Sequence, residues 1–168
     1  LILNDNEFNI PGRIAISSSE NNPDYLYAVI GSGFINNMNF NLSYGNYIIK
    51  SIDGGINWQQ VSLPTDNGNE WASLAWHALV VSVHPANPEV VFIGGLEIYR
   101  TVNSGDSWSN LSDWSLMYNG GGARYVHADI HQIEFNPINA NEIAITSDGG
   151  IFYTANSLNF SEDIIHEI

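Results

Sequence analysis

Ser51-Ile-Asp53-Gly-Gly55-Ile-Asn-Trp58 is answered fifty residues later by Thr101-Val-Asn103-Ser-Gly105-Asp-Ser-Trp108. In both, a hydroxyl residue is followed two positions on by a short polar acceptor, four on by glycine and seven on by tryptophan. Thr154-Ala-Asn156-Ser-Leu-Asn-Phe160 is a degenerate third copy 53 residues further, without the glycine or the tryptophan. The sequence ahead of each copy repeats as well. Arg13-Ile-Ala-Ile-Ser and Asn22-Pro-Asp-Tyr-Leu-Tyr-Ala precede the first. Leu79-Val-Val-Ser-Val-His-Pro and Asn87-Pro-Glu-Val-Val-Phe precede the second, and Gln132-Ile-Glu-Phe-Asn-Pro and Asn141-Glu-Ile-Ala-Ile the third. A unit of about 50 residues carrying four short strands has the size of one propeller blade.

Alternating and β-branched runs predict strands over 13–17, 25–30, 47–51, 77–83, 90–94, 97–101, 131–135, 142–146 and 151–154. Asn-Pro, Asp-Gly and Gly-Gly punctuate them as turns. Only 70–78 reads as a helical turn. The chain is therefore all-β: a segment of about three four-stranded antiparallel blades over 1–168, with repeats at about 12–61, 76–114 and 126–162. Composition agrees, since 5 Trp, 8 Tyr, 7 Phe and a hydrophobic fraction of 44% are core-forming. The 22 Asn residues cluster with Gly and Ser between apolar runs, as loops require.

Lys and Arg total 4 against 18 Asp and Glu, a net charge of −14. Nucleic acid and anionic membrane surfaces, which are bound through basic side chains, are excluded as partners. No run approaches the roughly 18 apolar residues of a membrane span. Without cysteine there is no disulfide scaffold or thiolate metal site, and the redox compartment stays open. The N-terminus has neither an initiator Met nor a basic n-region, so no intact signal peptide is read there.

The motif at Ser51–Trp58 and Thr101–Trp108 resembles the Asp-box, or BNR repeat, of pattern Ser/Thr-x-Asp-x-Gly-x-x-Trp. Over residues 13–160 the chain is similar to the superfamily of sialidases, xyloglucanase-type glycosidases, sortilin-type receptors and bacterial secreted BNR-repeat glycosyl-hydrolase-like propellers. The resemblance implies that each motif closes the hairpin between a blade's third and fourth strands, on the end opposite the ligand. Ser51, Asp53, Gly55, Trp58, Thr101, Asn103, Gly105 and Trp108 are then structural. Asp53 and Asn103 cap their own turns, the glycines supply positive φ, and the tryptophans fill the space between blades.

The opposite end would carry 31–46, 59–76, 109–130 and the turn Ser147-Asp-Gly-Gly150. Loops on a rigid scaffold are where function concentrates. The stretch 31–46 is polar with aromatic punctuation, a composition for sugar or peptide contact or for a solvated loop. Tyr125-Val-His127-Ala-Asp129-Ile-His131 is the densest chemistry. If extended, it turns His127, Asp129 and His131 to one side. Such a row can bind a divalent cation, calcium or zinc, supply acid/base or substrate contacts, or form a hydrogen-bonded cluster that pins the strand. No cofactor is required by the pattern.

Sialidases grip the substrate carboxylate with three arginines. Arg13, Arg100 and Arg124 are the only ones here, and Arg100 lies directly before a motif, so that triad is not assembled. Xyloglucanase-type enzymes use two facing aspartates. Asp129 and Asp148 are the pair this sequence offers, with Glu97 in reserve and Arg13, Arg124, Tyr125, His127 and His131 as substrate contacts. The expectation is an extracellular module, secreted or at the surface of a bacterial cell, that binds carbohydrate or an extracellular protein. The alternative is a glycoside hydrolase whose full site needs further blades. Three blades do not close a ring. The reading is therefore a fragment completed by further blades, or a chain completed by self-association or a partner, with 161–168 starting the next inter-blade crossing.

Overall fold

The computed structural model describes residues 10–35, 41–64, 71–158 and 166–167. They form three four-stranded antiparallel sheets, each with its strands in sequence order. The first holds β1 (Ile10–Ser18), β2 (Leu26–Ile35), β3 (Asn41–Ser51) and β4 (Gln59–Gln60). The second holds β5 (Val80–Val83), β6 (Val91–Gly94), β7 (Ile98–Thr101) and β8 (Ser109–Asn110). The third holds β9 (Ile130–Phe135), β10 (Ile143–Ser147), β11 (Gly150–Thr154) and β12 (His166–Glu167). The opening strands β1, β5 and β9 pack successively against one another, so each blade begins at the inside. This is an arc of a β-propeller.

Blade two explains why the blades adhere. Successive side chains of a strand point to opposite faces. Val91 and Ile93 of β6 enter a core with Tyr27, Val29 and Ile48 of blade one. Phe92 enters a second core with Ile133, Ile143, Ile145 and Phe152 of blade three. A strand covered on both faces reads as a continuous apolar run, and Val91–Gly94 is buried throughout. Among the described residues, nothing gives blade one such cover on the side turned away from blade two, and Ile14 and Ile16 of β1 stand 63% and 59% exposed.

The motifs close the β3–β4 and β7–β8 hairpins. Ser51 Oγ accepts from the Gly55 N–H at 2.9 Å and donates to Asp53 Oδ1 at 2.8 Å, and Asp53 in turn accepts from the Asn57 N–H at 2.8 Å. Thr101, Gly105, Asn103 and Ser107 repeat these contacts. Gly55 and Gly105 lie at φ +88° and +89°, where a Cβ is strained. Gly105 also rests on Val61, and Trp108 Nε1 donates to the Ser62 carbonyl, tying blade two to blade one. Trp58 Nε1 instead donates to Gly55 of its own turn. In the third copy the Thr154 hydroxyl keeps its role, accepting from the Asn156 N–H. Phe160 lies outside the described residues.

Two expectations change. The stretch 31–46 is no irregular loop: β2 runs to Ile35 and β3 begins at Asn41, so two strands extend one hairpin around 36–40, which lie outside the described residues. The tail does not start a new crossing, because His166 and Glu167 pair with Tyr153 and Phe152 as the last strand of blade three. The two-residue strands β4 and β8 were too short to leave a periodic signal. At 71–78 the chain does coil, as a short 3-10 turn and bends, with Trp71, Ala72, Ala75 and Ala78 buried. Trp71 Nε1 donates to the Gly45 carbonyl at 2.8 Å, and the Ala75 N–H to the Ser43 carbonyl at 3.1 Å.

Candidate functional site

Antiparallel order places the motif turns at one end of the arc. The β2–β3 and β10–β11 turns and the crossings into β5 and β9 lie at the other end, which is the site end. Three side chains from two blades meet there. His77 precedes β5, His131 lies near the start of β9, and Asp148 sits in the two-residue turn between β10 and β11. Asp148 Oδ1 lies 2.6 Å from His131 Nε2 and 3.2 Å from His77 Nε2. The imidazoles meet edge to face, with centroids 4.8 Å apart and planes at 82°. All three side chains are about a third or more exposed, so the group opens to solvent.

Local structure accounts for each placement. Buried Trp71, Ala75 and Ala78 fix the turn that ends at His77, whose N–H donates to the Leu74 carbonyl at 2.8 Å. Arg13 of blade one donates from Nη1 to the His77 carbonyl at 2.7 Å. Gln132 pairs with Thr146, but Ile130 with Ser147, so His131 is the extra residue of a β-bulge. Bulges re-aim a side chain without ending the sheet. Asp148 is followed by Gly149, where an added Cβ would lie 2.3–2.5 Å from the His127 ring. Only glycine lets the turn rest on that imidazole.

The expected row of His127, Asp129 and His131 does not form. The strand starts at Ile130, Asp129 lies at φ +65° and His131 is bulged, so the alternation that would align them is broken at both later members. His127 Nδ1 lies 3.1 Å from the Ala128 carbonyl, and its ring supports the Ser147–Gly150 turn. Asp129 stays close to the cluster, because its carbonyl accepts the Asp148 N–H at 3.2 Å. Its Oδ1 is buried with no hydrogen-bond partner among the described residues.

The two carboxyls are driven apart. Burial, with the Asp148 charge, pushes Asp129 up from the ordinary aspartate value. Hydrogen bonds from His131 and then His77 hold Asp148 below that value.

Other expected contacts lie elsewhere. Arg124 is strapped to the carbonyls of Asn110, Leu111 and Ser112 and to Asn110 Oδ1. Tyr125 packs its ring edge to face on Phe152, with centroids 5.7 Å apart, beside the second core. Glu97 is buried. It accepts from Ser112 Oγ and from the Trp114 N–H, at the start of the 3-10 helix Trp114–Asn119, and burial raises its pKa. Arg100 donates to the Ser157 carbonyl at 2.8 Å, towards the motif end.

Sequence reasoning missed His77 and its neighbour Trp76, which is 60% exposed with its ring 5.3 Å from that of His77. A signal existed in the repeat. His77 and Asp129 each stand six residues before the last residue of their inner strands, Val83 and Phe135.

No protein-family model matches the chain, and no curated protein matches its sequence. Solved structures are similar. A crystal structure of an ancestral GH74 enzyme superposes with a TM-score of 0.56 at 19% identity, over 90% of this chain and 18% of that one. The GH74 xyloglucanase from Xanthomonas campestris gives 0.54 at 19%, over 90% of this chain and 21% of that one. YCF48 from Cyanidioschyzon merolae gives 0.48 at 14%. The chain spans about a fifth of the length of the two GH74 enzymes. The first two likenesses agree with the propeller fold. No helix among the described residues is long and apolar enough to cross a membrane.

Proposed function

We propose that the chain is a carbohydrate-binding propeller module of an extracellular protein, with its binding face at the site end. The observation that carries this reading is the convergence there of an exposed Trp76 ring with His77, His131 and Asp148, and with Arg13 anchored beside them. A sugar presents apolar C–H faces that rest on an aromatic ring and hydroxyls that both donate and accept. An aromatic surface bordered by imidazole, carboxylate and guanidinium meets both needs. An acidic surface with no basic cluster suits a neutral ligand better than an anionic one.

Calorimetric titration with xyloglucan oligosaccharides, the substrate class named for the Xanthomonas enzyme, and with other neutral β-glucan oligosaccharides tests the proposal. The native chain binds at least one of them, and Trp76→Ala weakens that binding about tenfold or more, roughly 1.4 kcal/mol. Trp58→Ala, at the motif end, leaves it unchanged. No binding by any of these sugars, or equal binding by both variants, overturns the proposal.

One observation favours a glycoside hydrolase as the second reading. The Asp148 N–H bonds the Asp129 carbonyl, which brings two carboxyl groups with opposite pKa shifts to one end. Glycoside hydrolysis takes such a pair at about 5–5.5 Å for retention or about 6.5–9.5 Å for inversion. Release of reducing ends by the native chain, abolished in both Asp129→Asn and Asp148→Asn, would establish that reading. Binding without release leaves the module non-catalytic.

A further inference from the structure

We infer that His77, His131 and Asp148 form a binding site for a divalent transition metal, zinc above all. The site is independent of whether sugar binds beside it. One ligand atom from each residue lies within 4.8 Å of the other two. Two of these separations, 2.6 and 3.2 Å, lie below an informative distance. Atoms bound about 2.0–2.1 Å from a tetrahedral zinc stand about 3.3 Å apart. Rotation of these solvent-facing side chains would open the His131–Asp148 contact to that distance.

The donor set selects the ion. Two imidazole nitrogens and one carboxylate oxygen suit zinc and its borderline neighbours, whereas calcium takes six to eight oxygens. Three protein ligands leave a fourth position for water or a ligand oxygen, the pattern of an open zinc site. Without metal, both Nε2 atoms direct their protons at one carboxylate oxygen. Binding needs each Nε2 lone pair free, with the imidazole proton on Nδ1.

A second observation points the same way. The buried Asp129 Oδ1 without a partner lies in the residue whose carbonyl takes the Asp148 N–H. An orphaned buried carboxylate oxygen costs free energy. A cation next to Asp148, or the water it holds, answers that cost. Asp53 Oδ1 and Asn103 Oδ1, the acceptors of the motif turns, have no such vacancy.

Zinc titrated into the full chain, followed by calorimetry, is the test, with calcium run in parallel. One zinc per chain binds, and calcium gives no comparable heat. His77→Gln, His131→Gln and Asp148→Asn each weaken zinc at least about tenfold. Asp53→Asn, in a motif turn at the opposite end of the arc, leaves affinity within about twofold. Cobalt bound by the native chain shows the intense visible bands of four-coordinate geometry, a readout that does not depend on any variant folding. Absence of zinc binding, calcium binding as strong as zinc, equal zinc affinity in native and His77→Gln proteins, or only the weak bands of octahedral cobalt would each overturn the inference.

Discussion

Asp53, half-buried, and Asp148, exposed, are both aspartates in tight turns followed by Gly-Gly, and they live in opposite circumstances. Asp53 satisfies its carboxylate within its own turn. Oδ1 takes the Ser51 hydroxyl and the Asn57 N–H, and Oδ2 takes the Asn57 amide. Those hydrogen bonds, led by the Asn57 N–H, hold its pKa below the ordinary value. Asp148 has partners 17 and 71 residues away, and both are imidazoles. A carboxylate consumed by its own backbone stabilises a turn. One shared between imidazoles from separate elements is available to a ligand.

The largest effect should come from the platform beneath the site end. Trp71 is almost fully buried in the first core and braces the turn that delivers His77. Trp71→Ala is expected to lose about 3–5 kcal/mol in denaturant unfolding, and to weaken zinc with it. Retained stability would show that the turn is not braced by packing. Gly149→Ala comes next. The new methyl meets the His127 ring, at an expected cost of about 1–3 kcal/mol, and moves the Asp148 turn. An unaltered melting curve would show that the imidazole yields.

At the motif end, Ser51→Ala removes the acceptor for the Gly55 N–H from a buried position, at about 1–2 kcal/mol. Zinc binding should be unchanged, since the two ends are separate. Coupled losses would show that the two ends are not separate.

Glu97 tests burial through pH. Its raised pKa means that above the ordinary value of 4.5 the native state retains a proton the unfolded chain has lost. Stability therefore falls as pH rises from 4.5 through the native value. Glu97→Gln should flatten that part of the stability–pH curve. A slope identical to native would remove Glu97 as its source.

The same contrast explains what could be read before the fold was known. The motif turns were legible because their chemistry is local: hydroxyl, acceptor, glycine and tryptophan fall within eight residues, and the copies repeat at blade spacing. The strands were legible where both faces are apolar, as at Val91–Gly94, or where residues alternate. The site was half legible. Asp129, Asp148, His131 and Arg13 stood out as chemistry in the right stretches. Their geometry did not, because a bulge at His131 and a positive φ at Asp129 break the alternation on which the expected row depended. His77 stayed hidden because its importance arises only when blade two docks beside blade three. Tyr125 and Arg124 looked like ligand residues by proximity in sequence, whereas packing on Phe152 and the carbonyls of 110–112 claims them.

Asp53→Asn should produce the smallest effect of all. Asn103 already fills the equivalent place in the second motif, where its Oδ1 accepts from Thr101 and from the Ser107 N–H. Stability is expected to change by no more than about 0.5 kcal/mol. That makes the two aspartates a matched pair. Bound zinc per chain, measured side by side in Asp53→Asn and Asp148→Asn proteins after dialysis, asks directly whether ligand chemistry resides at the site end and is absent from the motif end. One zinc in Asp53→Asn and none in Asp148→Asn is the predicted result. Equal zinc in the two, or loss in Asp53→Asn alone, would contradict it.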